Sequence, residues 1–176
     1  MRGDAIAGSL AALLLLSIPA HAQSELERYQ AAERLAAEHI AKYRTADFDV
    51  FPGQQWDRIQ ESHAKNVIVH WPDGRQTDGI QAHIDDLKAF FVYAPDTRVS
   101  THKVEVATAE WSSIVGVMEG TFTQPMPTPD GKTIAPTGKA YKVVFSAVDH
   151  WKDGVIDEEY LFWDNLTFMR QVGIAP

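Results

Sequence analysis

From Ser24 to Arg44 the residues Leu26, Tyr29, Ala32, Leu35, Ala36, His39, Ile40 and Tyr43 recur three and four positions apart, with charges between them. That period predicts an amphipathic helix, and Ser24 with Glu27 has the spacing of a capping box. A second, shorter helical piece is expected within 47–63, past Pro52-Gly53, with Phe51, Trp56 and Ile59 on one side. Asn66 to Trp71 (NVIVHW) reads as a short strand stopped by Pro72-Asp73-Gly74. Asp78-Gly79 opens a third helix over 80–91, whose stripe is Ile80, Ile84, Leu87 and Phe91, and which stops before Pro95.

Beyond Pro95 the period changes to two. Residues 97–109, 111–123 and 140–151 are long, rich in β-branched and aromatic side chains, and 155–163 returns antiparallel to the last of them. Between Gln124 and Gly138 prolines and glycines mark an extended connection. Helices first and long antiparallel strands afterwards predict an α+β fold, a curved sheet with the N-terminal helices over one face. Such a bent sheet encloses a cone, and its mouth is where a ligand would sit.

The closing hairpin carries most of the chemistry. Lys152-Asp153-Gly154 suits a three-residue loop, a type I turn with Gly in the left-handed third position, which pairs Trp151 with Val155. In that register Val144, Ser146, Val148 and His150 share a face with Ile156, Glu158, Tyr160, Phe162 and Asp164. A two-residue Asp153-Gly154 turn is the alternative, and it would move His150 to the face opposite Asp164.

Length predicts one domain, 23–176, with a sizeable core. At 45% hydrophobic and 23% charged, the composition of the 176 residues is that of a globular protein. A net charge of -8, with no cluster of Lys and Arg, argues against nucleic acid and anionic membranes as partners. Arg2, the apolar run from Ala5 to Pro19 and Ala20-His21-Ala22 form the pattern of an export signal over 1–22, cleaved after Ala22. The run is short for a membrane span, so the mature chain is expected off the membrane, periplasmic or secreted. With no cysteine, disulfides, thiolate ligands and a cysteine nucleophile are excluded.

Asp164, beside Phe162 and Trp163, is the first candidate for chemistry. Inside an apolar barrel its pKa would rise and it could exchange protons near neutral pH; on the surface it would cap the helix that starts at Leu166. Both uses stay open at this point. His150 could orient that aspartate or polarise a carbonyl. Glu158 and Tyr160 point the same way as Asp164, whereas Asp157 and Glu159 are expected outside. Phe162, His70, Trp56, Met118 and Phe122 are candidates to line a pocket. His63, His70 and His83 lack the close helical pairing of a metal site and are expected on the surface, so neither a metal nor another cofactor is expected. There is no Gly-rich phosphate loop and no G-x-S-x-G elbow, which disfavours nucleotide chemistry and serine hydrolysis.

The order and spacing of these pieces resemble a known family. VIVHWPDGRQTDG, the Ala94-Pro95-Asp96 that ends the third helix, Gly120-Thr121-Phe122, Pro136-Thr137-Gly138-Lys139, WKDGVIDEE and WDNLTFMRQVGI together resemble the SnoaL-like polyketide cyclases of the NTF2-like superfamily, across about Ala31 to Ile174. The resemblance implies a cone-shaped, NTF2-like (cystatin-like) α+β barrel, a homodimer through the outer sheet, an apolar pocket for a small hydrophobic molecule, and an aspartate acid/base matched here by Asp164 with His150 beside it. It implies a cofactor-free cyclase or isomerase. A non-catalytic ligand-binding or dimerisation module is the alternative, because the scaffold hosts unrelated functions. An export signal departs from relatives that act inside the cell on polyaromatic esters.

Overall fold

The computed structural model describes residues 20–128 and 130–175. The apolar run of the expected export signal therefore lies outside the described residues, and the expected cleavage position falls in the first turn of helix α1 (Ala20–Thr45). Only the carboxy-terminal half of α1 seats its stripe on the body: His39, Tyr43 and Ala46 just beyond it are buried, whereas Tyr29 is 73% exposed. Among the described residues no helix is long and apolar enough to cross a membrane.

Where one short second helix was expected, the chain makes two irregular turns. α1 runs into a π-helical turn (Ala46–Val50) and, after Pro52-Gly53, a 3-10 helix (Trp56–Glu61). Strand β1 (His63–His70) then starts earlier than the apolar pattern suggests, because the backbone N–H of Ile156 bonds Ser62 O at 2.8 Å and His63 pairs with Ile156. β2 (Gln76–Asp78), helix α2 (Ile80–Tyr93), β3 (Arg98–Ala107) and β4 (Trp111–Thr121) follow. A small ribbon of β5 (Met126–Pro127) and β6 (Thr133–Ile134) occupies the proline-rich connection, and β7 (Ala140–Lys152), β8 (Val155–Trp163) and α3 (Asn165–Val172) close the chain.

Six strands form one curved sheet in the order β2-β1-β8-β7-β4-β3, antiparallel throughout except where β1 runs parallel to β8. Register breaks in β3 against β4 and in β7 against β8 supply bend, since a bulge kinks the strand that carries it. Across β4 and β7, Gly116 lies opposite Phe145, and a Cβ there would sit 2.4 Å from the phenyl ring. The aromatic ring fills the space that glycine leaves, and the core closes over it.

The hairpin corrects the expected loop. Lys152 pairs with Val155 around a two-residue turn in which Asp153 (φ 52°) and Gly154 (φ 78°) are both left-handed, as a type I′ turn requires. Beyond it Trp151 pairs with Ile156 but His150 with Glu158, so Asp157 is an extra residue in β8. The bulge restores the expected sharing of one face by His150, Glu158, Tyr160 and Phe162. That face is the outer one. Tyr141, Val143, Phe145, Ala147, Asp149 and Trp151 point into the core, whereas Val144 is exposed and Phe162 is 54% exposed. Past the bulge Glu159, expected outside, and Leu161 are the buried residues of β8.

Candidate functional site

The end of α1, the π-helical turn, β1 and α2 meet the inner face of β7 and β8 around a cavity of about 80 Å³. Phe51, Leu87, Phe90, Met118, Phe145, Leu161 and Trp163 make its apolar walls, and Tyr43, Asp47, His63, His83 and Glu159 form a polar end. The space is smaller than the few hundred cubic ångströms that a drug-sized ligand needs, and suits a small molecule.

Glu159 is the centre of that end. It is 4% exposed, and its Oε1 accepts a long bond from the Tyr43 hydroxyl at 3.4 Å. Its Oε2 is buried with no hydrogen-bond partner, 3.9 Å from His63 Nε2 and 3.7 Å from His83 Nε2. Those separations exceed a hydrogen bond. Burial alone would raise the Glu159 pKa, but the two imidazoles and the Tyr43 hydroxyl outweigh it and hold the carboxyl below its usual range. His83 is pushed down to about 4 by burial, so its ring is neutral at physiological pH.

A second carboxyl lies directly across the ladder from Glu159. Asp149 is fully buried, accepts from Ser112 Oγ at 2.7 Å, and Ser112 Oγ in turn accepts from Trp151 Nε1 at 2.8 Å. Burial, then the charge of Glu159, raises the Asp149 pKa well above the ordinary value. Two neighbouring carboxyls are thereby driven apart, one toward the acid and one toward the anion, which is how a site assigns separate acid and base roles. On the other flank Asp47 bonds His102 Nε2 at 2.8 Å, and His102 Nδ1 bonds Glu105 at 2.8 Å, with Arg44 paired to Glu105 at the surface.

The residues expected to act are mostly elsewhere. Asp164 faces solvent and caps α3: its Oδ1 accepts from the backbone N–H of Thr167 at 3.0 Å and its Oδ2 from the Thr167 hydroxyl, and these bonds lower its pKa. His150 bonds Asp157 at 2.6 Å on the outer face. His70, Glu158 and Tyr160 do come together, also outside: Glu158 Oε1 accepts from Tyr160 at 2.7 Å and meets His70 Nε2 at 2.9 Å, while the His70 and Tyr160 rings stack 4.2 Å apart. Phe162 is on the same outer face. Trp56 packs edge-on against Phe91 and Phe122 against Tyr93, both away from the cavity; Met118 lines it. His63 and His83, expected on the surface, are buried.

This arrangement sits on a scaffold with known counterparts. The family model of SnoaL-like polyketide cyclases matches residues 41–172. The chain belongs to that family. Among solved structures, a candidate SnoaL-like polyketide cyclase from a Jannaschia species superposes with a TM-score of 0.68 at 16% identity, over 81% of this chain and 96% of the other. IdmH, a candidate polyketide cyclase from Streptomyces antibioticus, gives 0.63 at 20% identity over 78% and 97%. A candidate ketosteroid isomerase from Kribbella flavida gives 0.52 at 15% over 74% and 80%. At these identities the likeness establishes the NTF2-like fold; family membership rests on the family model and supports a cyclase-like domain. No protein of curated function matches the chain.

The signal that would have identified this site was present but weak. Lys142 and Lys152 share parity with His150 on β7, so that face had to be the wet one. The bulge at Asp157, which turns Glu159 inward, has no such marker.

Proposed function

We propose that this SnoaL-like domain is a cofactor-free proton-transfer enzyme, cyclase- or isomerase-like, acting on a small and largely apolar carbonyl compound. The observation that carries the reading is the buried Glu159, whose Oε2 has no partner where the apolar cavity ends. A carboxylate so placed can remove a proton from the carbon next to a carbonyl. The electron pair moves onto the carbonyl oxygen, and the Tyr43 hydroxyl and the neutral His83 are the nearest groups able to carry a proton toward it. Returning the proton at another carbon gives an isomer; attack by the enolate carbon on a second carbonyl of the same molecule gives a ring. The apolar walls exclude water and strengthen these interactions.

The test is hydrogen–deuterium exchange at the α-carbon of a panel of small ketones, followed by NMR. Wild type should accelerate exchange for at least one ketone, and Glu159→Gln should lower that rate by about 10²- to 10⁴-fold while keeping the fold. Unchanged exchange in the variant would overturn the assignment. Export and homodimer formation stand as proposals beside it, supported by the pattern of residues 1–22 and by the exposed Val104, Val106, Val144 and Phe162 of the outer sheet. Amino-terminal sequencing of the protein made in a Gram-negative host, and sedimentation of wild type against Val144→Asp, decide them.

A further inference from the structure

We propose that His63, His83 and Glu159 together bind a divalent transition-metal ion, of which zinc is the natural probe. The site goes beyond proton transfer but uses the same residues, and its test is independent of any reaction.

Three observations carry it. The donor set is two imidazoles and one carboxylate, a combination that suits zinc or ferrous iron and leaves coordination positions open. Their ligand atoms lie within 4.8 Å of one another, all on buried side chains. Zinc ligands stand roughly 3.4 Å apart around a tetrahedral ion, so the 3.7 and 3.9 Å separations need to close by only about 0.3 to 0.5 Å. Oxygen-loving magnesium and calcium fit poorly, since two of the three ligands are nitrogen.

The hydrogen bonding of His63 is the second, independent pointer. His63 Nδ1 lies 2.9 Å from the Ser62 hydroxyl, which also bonds Ile59 O at 3.2 Å. Such an outer bond on the second ring nitrogen is how metal-binding imidazoles are oriented. His63 Nε2 and Glu159 Oε2, 3.9 Å apart, are both buried with no hydrogen-bond partner. Buried polar atoms left unpaired are costly, and an ion between these two would satisfy both. His83 is seated in the first turn of α2, where its backbone N–H bonds Gly79 O at 3.2 Å. All three residues line the cavity, where a small oxygen ligand would have room.

A metal on Oε2 takes the electron pair that a base would use. Loading should therefore silence proton exchange, and chelation should restore it.

The experiment uses tag-free protein stripped with chelator, titrated with zinc chloride and, as control, magnesium chloride in a calorimeter. Wild type should bind one zinc per chain and no magnesium. His63→Ala and His83→Ala should each lose at least 100-fold in affinity, and Ser62→Ala, which keeps all three ligands, should lose about 10-fold. His70→Ala, altered on the outer face, should bind as wild type. Cobalt supplies a readout that needs no variant to fold: the visible absorption of imidazole-bound Co²⁺ should appear on wild type at one equivalent and vanish when one equivalent of zinc is added. No zinc binding, or equal affinity in wild type, His63→Ala and Ser62→Ala, overturns the site. Zinc binding without ketone exchange in stripped protein would sink the proton-transfer reading alone, and exchange without zinc binding would sink the metal alone.

Discussion

Glu158 and Glu159 are chain neighbours with opposite fates. Glu158 stands on the outer face with both Tyr160 and His70 bonded to Oε1, and those partners, the Tyr160 hydroxyl foremost, hold its pKa below the usual value. Glu159 is buried against two imidazoles with one oxygen unpartnered. Hydrogen bonds satisfy the first where it stands, so it needs nothing further. The second has lost its water without a full set of replacements, which is a state that folding tolerates where a ligand completes it. One extra residue, Asp157, separates the two outcomes.

Reversing those faces should have the largest effect. One alanine inserted between Glu158 and Glu159 shifts every later residue of β8 by one, offering Glu159 to solvent and Tyr160 and Phe162 to the core, or breaking the ladder. The insertion should cost more than roughly 4 kcal/mol in chemical denaturation. Near-wild-type stability would mean that the register does not set the faces. Next comes the pair of isosteric changes: Glu159→Gln should abolish most ketone exchange while Glu158→Gln changes it less than about two-fold, and equal losses would erase the contrast between them.

Smaller effects probe the neighbours. Ser112→Ala leaves the Trp151 Nε1 proton without its acceptor and Asp149 without its donor, for a loss of about 1–3 kcal/mol in urea unfolding. His102 tests pH. Burial lowers its pKa, but the bonds to Asp47 and Glu105 outweigh that and leave it raised. A raised folded pKa gives stability that is fully present below the unfolded value of about 6.5 and is lost as pH rises through the folded one. Thermal melts of His102→Gln should therefore fall furthest below wild type near pH 5.5 and converge toward pH 9; a gap that widens with pH would refute the linkage. Asp164→Ala comes last. Losing a surface cap should lower Tm by about 2 to 4 °C and leave exchange untouched, and lost exchange would return Asp164 to the chemistry.

Much of the fold was legible. The three- and four-residue period of α2, the alternation along β3, β4 and β7, and the hairpin at Gly154 all led to elements at about the right residues, because each depends on neighbours within a few positions; the turn itself is two residues long where three were expected. The amino-terminal half of α1 shows the limit of that reasoning: Leu26, Tyr29 and Leu35 keep the helical stripe but remain exposed. The site was read on the wrong face. His150, Glu158, Tyr160 and Phe162 do share a side of the sheet, yet alternation says only which residues go together, and the covering helices decide which side is dry.

Local pattern by itself determined the α+β class and the position of the closing hairpin, since these follow from periods and turn chemistry that neighbouring residues carry; the family came from the resemblance of its motifs. Only tertiary structure decided where a charge would lose its water. His63, His83 and Glu159 come from β1, α2 and β8, and they meet because a parallel pairing and a one-residue bulge aim three distant segments at one point. Burial of a polar group is a property of everything packed around it, and no window of sequence contains that.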